Sequence, residues 1–294
     1  MTYLPPITTP IRTIGGRVFD FGHEIVVMGI VNRTPDSFYD AGLTYALDLA
    51  VEAGEREAAD GAGWVDVGGV PFSPDVPAVS VVEELDRVVP VVARLAGVGV
   101  VVSVDTVRPE VARAAIAAGA GVINDTSGLH DPEIADVVAG SEATLVITHS
   151  AAPPGQHLRR PRYDDVVAEI RAFLASRVDR AVSRGVPEER IVVDPGHDLN
   201  KNTRHSLEIT RRLTEIADLG LPLLAAVSNK DFIGETLDRE QGKRLEGSLA
   251  AAVICIMKGA RIVRMHDVAA AVAATRMTEA VLGFRAPAYA RHNV

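Results

Sequence analysis

Eight short apolar runs, rich in Val and Ile, each lead into residues able to do chemistry. The first is followed by Asn32-Arg33-Thr34-Pro35-Asp36-Ser37-Phe38, the second closes on Asp66-Val67-Gly68-Gly69, and the third on Ser103-Val104-Asp105-Thr106. The other five end in Asn124-Asp125, His149, Asp194-Pro195-Gly196, Ser228-Asn229-Lys230 and Arg264-Met265-His266-Asp267. Asp105, Asn124, Asp194 and Lys230 together suit a flat heterocycle with amino, ring-nitrogen and carbonyl groups, because carboxylates accept from N–H while the Lys and Asn nitrogens donate. Asn32, Arg264 and His266 supply donors for an anion, and the planar fork of Arg matches phosphate. A planar polar ring beside a phosphate is the ligand this set implies. Taken singly, each group also has an ordinary reading. Asp and Asn favour caps and turns, Arg264 with Asp267 could be a structural ion pair, and His266 could be a core or capping residue.

Convergence of the eight ends depends on the elements behind them. Strands are expected at 25–31, 64–67, 98–104, 121–124, 143–148, 190–193, 222–226 and 261–264, with helical apolar spacing at 45–59, 110–118, 165–184, 206–217, 245–257 and 268–282. Gly61, Gly97, Gly119, Gly185, Gly220 and Gly259 follow helical stretches, where a left-handed cap calls for glycine. Strands alternating with helices imply parallel βαβ units. The count of eight, and the absence of G-x-G-x-x-G after the first strand, favour closure into a (β/α)8 TIM barrel over an open doubly wound sheet. In such a barrel the interior is filled and function sits at the C-terminal rim of the strands. A single domain is expected over 1–294: a Pro-rich lead to about residue 22 with a hairpin at Gly15 and Gly16, the barrel over 24–283, and a tail over 284–294.

The composition, 47% hydrophobic and 23% charged, suits helices packed on buried parallel strands. A net charge of -9 with no basic stripe argues against nucleic acid as a partner. No apolar stretch reaches the roughly 18 residues of a membrane helix, and the N-terminus lacks the form of a secretory signal, so a cytoplasmic protein is expected. Cys255 is the only cysteine and reads as a small core residue. Arg159, Arg160 and Arg162 read as a solvated loop.

From about Glu24 to Gly283 the chain resembles the dihydropteroate synthase family. The resemblance rests on N-x-T-P-D-S-F at Asn32 to Phe38, S-V-D-T at Ser103 to Thr106, Asn124-Asp125, D-P-G at Asp194 to Gly196, R-L-E-G-S at Arg244 to Ser248, and R-x-H-D at Arg264 to Asp267. It implies a pterin-binding TIM barrel and a transferase of folate biosynthesis. Such an enzyme joins 6-hydroxymethyl-7,8-dihydropterin diphosphate to 4-aminobenzoate and releases pyrophosphate with the help of Mg²⁺. By similarity, Asp105, Asn124, Asp194 and Lys230 would hold the pterin, while Asn32, Arg264 and His266 would hold pyrophosphate, with Asn32 also reaching Mg²⁺. Asp36 would steady the pterin cation, Phe38 would line the aminobenzoate slot, and Ser228 would begin a helix whose N-terminus faces the benzoate carboxylate. The catalytic set is then Asp36, Lys230, Arg264 and His266. A homodimer through the last helices is also implied.

The chain departs from the family pattern mainly in its second loop. E-S-T-R-P-G after D-x-G-G becomes Val70-Pro71-Phe72-Ser73-Pro74-Asp75, so Phe72 and Ser73 replace a Thr and an Arg, and Asp75 adds a negative charge. Losing one such donor from a preorganised anion site costs roughly 2.7–4 kcal/mol in the chemical step. Leu199 replaces an aromatic residue, Asn229 an Arg, Thr148 a Met, and Arg33 an apolar residue. The pterin and anion ends are therefore intact, while the aminobenzoate end is altered. Two readings follow: a synthase with reduced rate or a changed amine acceptor, and a divergent second copy that binds pterin without making dihydropteroate. A folate methyl-carrier domain on the same barrel would leave the N-x-T-P-D-S-F run unexplained.

Overall fold

Runs of β-branched residues with few polar interruptions build strands that can be buried on both faces, and a closed parallel barrel provides that burial. The computed structural model describes residues 4–34, 45–71 and 78–292. A two-stranded antiparallel hairpin, β1 (Ile11–Ile14) and β2 (Arg17–Asp20), turns at Gly15 and Gly16 and precedes the barrel. The barrel strands are β3 (Val26–Asn32), β4 (Trp64–Gly68), β5 (Val101–Asp105), β6 (Val122–Asp125), β7 (Thr144–Thr148), β8 (Ile191–Asp194), β9 (Leu223–Ala225) and β10 (Ala260–Arg264). They pair in sequence order, and β10 pairs back onto β3, which closes the ring as expected.

Alternation divides the apolar residues into two cores. Val26, Met28, Trp64, Val101, Val122, Val146, Val192, Leu224 and Ile262 fill the lumen, where Ile14, Phe19 and Phe21 of the hairpin pack against them from below. Outward neighbours such as Val27, Val65, Val102, Ile123, Leu145, Val193 and Val263 meet the helices. Burying each large side chain is worth about 1.5–3 kcal/mol. The helices are α1 (Leu47–Ala59), α2 (Val81–Gly97), α3 (Pro109–Ala117), α4 (Glu133–Ala139), α5 (Val166–Ser183), α6 (Thr203–Arg211), α7 (Leu213–Ala217), α8 (Asp231–Leu237), α9 (Leu245–Met257) and α10 (Val268–Leu282). Cys255 on α9 is fully buried, as a core residue should be. Arg159, Arg160 and Arg162 are exposed. Among the described residues, no helix is long and apolar enough to cross a membrane.

Three local expectations need correction. The strand expected over 98–104 begins at Val101, because Val98 is the C-cap of α2 and Gly99 turns the chain at φ +81. Gly97 accordingly lies inside α2, and Gly99 takes the left-handed role expected of it. The single helix expected over 206–217 is two, broken at Arg212, whose guanidinium pairs with Asp165 and Glu215.

Candidate active site

Strand register assembles the rim. Asn32 lies opposite Gly68, Gly68 opposite Asp105, and Asp105 opposite Asn124, so the four occupy one row across β3 to β6. Gly68 keeps the row open: a Cβ there would stand 3.1 Å from Asn32 Oδ1 and 3.9 Å from the Asp105 Cβ. Across the barrel Asp194 ends β8 opposite Thr148, and Arg264 ends β10 opposite Met28. Lys230 follows β9 and lies within electrostatic reach of Asp194, Asp105, Asp198 and Arg264. The structure therefore gathers Asn32, Asp105, Asn124, Asp194, Lys230, Arg264 and His266 at one end of the barrel, as their strand-end positions implied.

At the centre is a residue to which no role was assigned from sequence. Asp66 on β4 is fully buried, and its Oδ2 accepts from Arg264 Nε at 2.7 Å and from Asn124 Nδ2 at 3.0 Å. Arg264 also extends Nη2 to 3.8 Å from Asp105 Oδ2, and Thr126 Oγ1 donates to Asp105 Oδ1 at 3.2 Å. Two expectations change in consequence. Arg264 pairs with Asp66 rather than Asp267, which instead caps α10 by accepting from Ala270 N at 2.9 Å. The amide nitrogen of Asn124 is committed to Asp66, so its buried carbonyl oxygen, which has no protein partner among the described residues, is the group able to accept from a ligand N–H.

The electrostatics fit a site where charge is managed by burial. Burial and the neighbouring Asp66 push the Asp105 carboxyl up to about 7, against the pull of Arg264. Burial raises Asp194 to about 6, although Gly196 N donates to its Oδ1 at 2.7 Å. Lys230 is lowered chiefly by burial. Burial works against the charge on Arg264, yet Asp66, Asp105 and Asp194 more than offset it and raise its pKa.

The last two loops hold the anion-side groups. The Ser228 hydroxyl accepts the backbone N–H of His266 at 3.1 Å and meets the ring Nδ1 at 2.9 Å, which sets the imidazole orientation. The helix expected to begin at Ser228 begins at Asp231, with Lys230 as its N-cap. Asn229, expected to mark a lost cation at the rim, adopts φ +57 and turns its Oδ1 to Gly242 N at 3.1 Å. Arg244 braces this turn by donating to the Asn229 carbonyl at 3.1 Å and to Asp231 Oδ1 at 2.9 Å. A Cβ on Gly234 would overlap that guanidinium, so glycine is what lets it lie there.

A second cluster unassigned from sequence ties the fifth and sixth loops. Buried Lys201 donates to the Leu199 carbonyl at 2.9 Å and meets His149 Nδ1 at 2.9 Å. Burial first, and then nearby Lys230, lower Lys201 to about 7 against the opposing carboxylates of Asp194 and Asp198. Asp36 and Phe38 lie outside the described residues, as do Phe72, Ser73 and Asp75. At the stem of the first loop, Arg33 donates through Nε to the Tyr45 carbonyl at 2.9 Å and through Nη1 to those of Asp86 at 2.8 Å and Arg87 at 3.0 Å. An apolar residue at 33 could make none of these bonds.

Asn32 offers a hard oxygen of the kind Mg²⁺ takes, and no group of three His, Cys, Asp or Glu side chains among the described residues could hold a metal. Mg²⁺ usually keeps waters and phosphate oxygens and needs only one or two protein ligands. The donor set therefore fits a metal carried with a diphosphate, and does not fit an all-protein cage.

Residues 28–266 match the model of the pterin binding enzyme family. The chain is 41% identical over 273 residues to a Mycobacterium tuberculosis protein named inactive dihydropteroate synthase 2, covering 90% of this chain and 86% of that one. It is 40% identical over 268 residues to the dihydropteroate synthase of Escherichia coli, covering 91% and 95%. Among solved structures, Xanthomonas albilineans dihydropteroate synthase with 4-aminobenzoic acid superposes with a TM-score of 0.86 at 42% identity, covering 94% of this chain and 99% of that one. With the closed barrel, the polar rim and these relatives in agreement, the chain belongs to the dihydropteroate synthase family of pterin binding enzymes.

Proposed function

We propose that this chain binds 6-hydroxymethyl-7,8-dihydropterin diphosphate at its rim and condenses it with 4-aminobenzoate at a reduced rate. The observation that carries the reading is the row of Asp105 and Asn124, faced by Asp194 and Lys230 and edged by Arg264. Asn124 Oδ1 and the two carboxylates accept from the amino and ring N–H groups of the pterin, and Lys230 donates to its carbonyl or ring nitrogen. Arg264, His266 and Asn32 hold the diphosphate; Mg²⁺, when carried with it, would be held by Asn32 and would help neutralise the leaving charge. The C–O bond to the diphosphate breaks with its electron pair leaving on pyrophosphate, the amine lone pair forms the C–N bond, and the displaced amine proton passes to the released pyrophosphate or to solvent. Asp36 steadies the intermediate cation, while Phe38 and Ser228 serve the aminobenzoate end.

A second reading, pterin binding without synthesis, is favoured by Phe72 and Ser73 in place of the family Thr and Arg, and by the relative named as inactive. Pyrophosphate release from the pterin diphosphate, measured with and without 4-aminobenzoate, separates the two. Amine-dependent release supports the synthase; pterin binding without release supports the second reading, and neither would sink both.

Two further proposals accompany this one. The exposed apolar side chains Ile254 on α9 and Met277 and Val281 on α10 support a homodimer through the last helices, which sedimentation would test. The reduced, buried Cys255 is compatible with a cytoplasmic location, which cell fractionation would test.

A further inference from the structure

The groups assigned to the pterin side and to the anion side of the rim meet on one oxygen. Asp66 Oδ2 accepts from Asn124 on β6 and from Arg264 on β10, so a single carboxylate on β4 spans the lumen in both directions. Asp66 has no exposed surface, and its other oxygen, Oδ1, is buried without a protein partner among the described residues. Desolvating a carboxylate costs several kcal/mol, and here the pair with Arg264 and the hydrogen bond from Asn124 offset that cost, so the three groups hold one another in place.

We infer that Asp66 is a positioning residue that couples the two halves of the proposed site, fixing the polarity of Asn124 and the direction of the Arg264 fork together. The inference rests on the pterin diphosphate reading of the site. An Asn side chain alone can present either its amide or its carbonyl to a ligand, and the two choices select opposite partners. With Nδ2 held by Asp66, Asn124 presents the carbonyl, so the site selects a ring edge that offers N–H and discriminates against one that offers only lone pairs. With Nε held by the same oxygen, the remaining guanidinium nitrogens of Arg264 are directed away from Asp66, one of them to 3.8 Å from Asp105. Loss of the Asp66 charge thus weakens recognition of two chemically unrelated ligand groups, neither of which needs to touch Asp66.

The test is calorimetric titration of the full-length protein with a dihydropterin and, separately, with inorganic pyrophosphate plus Mg²⁺, for wild type and Asp66→Asn. Asp66→Asn should weaken both by at least about tenfold, the scale of one lost charge-assisted hydrogen bond. In an Asn124→Ala background the same change should cost no further pterin affinity, whereas pyrophosphate affinity should still fall. Unchanged pyrophosphate affinity in Asp66→Asn, or full additivity with Asn124→Ala toward pterin, would overturn the coupling. The exchange Asp66→Asn with Asn124→Asp keeps volume, total charge and the 66–124 hydrogen bond. It serves if the single variant does not fold, and wild-type affinity for both ligands in it would also overturn the coupling.

A ligand-free readout keeps this inference distinct from the functional one. The Arg264 Nε–H, held by Asp66, should give a slowly exchanging side-chain resonance in ¹⁵N–¹H spectra, assigned by its loss in Arg264→Lys. Wild type that binds neither ligand refutes the pterin reading, and the resonance then decides alone: its disappearance in Asp66→Asn supports the coupling, and its persistence overturns it.

Discussion

Pterin affinity in this protein should rise steeply between pH 6 and pH 8, and most of the rise should belong to Asp105. Both rim carboxyls are raised from their ordinary range, Asp105 to about 7 and Asp194 to about 6, with burial the largest cause in each case. At pH 6 the free protein therefore carries protons that a ligand donating N–H must displace, so binding improves as pH rises. With those midpoints, the ionised fraction of Asp105 climbs from about one tenth at pH 6 to about nine tenths at pH 8, and that of Asp194 from about one half to nearly all. The product is about 20-fold in affinity, or about 2 kcal/mol, of which Asp194 supplies only about twofold. Titration calorimetry at pH 6, 7 and 8, with a dihydropterin whose own ring does not ionise in that range, measures the slope for wild type and Asp105→Asn. The variant should bind more weakly at pH 8 and keep only the twofold dependence. A flat or falling wild-type profile, or an Asp105→Asn profile as steep as wild type, would refute the reasoning.

Other consequences can be tested alongside. Glu57 on α1 lies against Gly29, and burial raises its carboxyl from 4.5 to about 8. Between those values the folded state holds a proton that the unfolded state releases, so stability falls as pH climbs through the window. The loss is on the order of 2–5 kcal/mol after allowing for solvent screening. Urea unfolding at pH 5 and pH 8.5 should show that loss in wild type and not in Glu57→Gln; parallel profiles would count against it. Gly234→Ala should displace Arg244 from the Asn229 turn and lower stability by about 1–3 kcal/mol, seen as a reduced melting temperature, whereas an unchanged melt would mean the turn does not depend on that brace. Restoring Thr at Phe72 and Arg at Ser73 together should raise any amine-dependent pyrophosphate release by about a hundredfold, and an unaltered rate would move the cause to Leu199 or Asn229.

The strands and most helices were legible because their patterns are regular and their caps consistent. The long helix α2 was not among the anticipated helical stretches: Glu84 and Arg87 lie on its buried side and Pro90 sits inside it, which blurs the apolar spacing. The apolar run that follows then looks like one strand, although its first residues finish the helix and turn. At the rim, residue types announced a ring-and-anion site, but side-chain orientation could not be read from types. Nothing in the order of residues says that Asn124 gives its amide to Asp66, or that Asp66 outranks Asp267 as the partner of Arg264. Asn229 illustrates the same limit, since a side chain named by its place beside Lys230 turns out to face the Gly242 loop. Lys201 with His149 joins loops 52 residues apart, and such a pairing leaves no periodic trace.

The hairpin that leads into the barrel has a consequence for folding. Ile14, Phe19 and Phe21 pack under the filled lumen, Arg12 donates to the Ile191 carbonyl at 2.6 Å, and Arg261 on β10 donates to the Phe21 carbonyl at 2.8 Å. The segment ahead of the first barrel strand therefore completes its own packing only when β8 and the last strand are in place, so the two ends of the barrel stand or fall together.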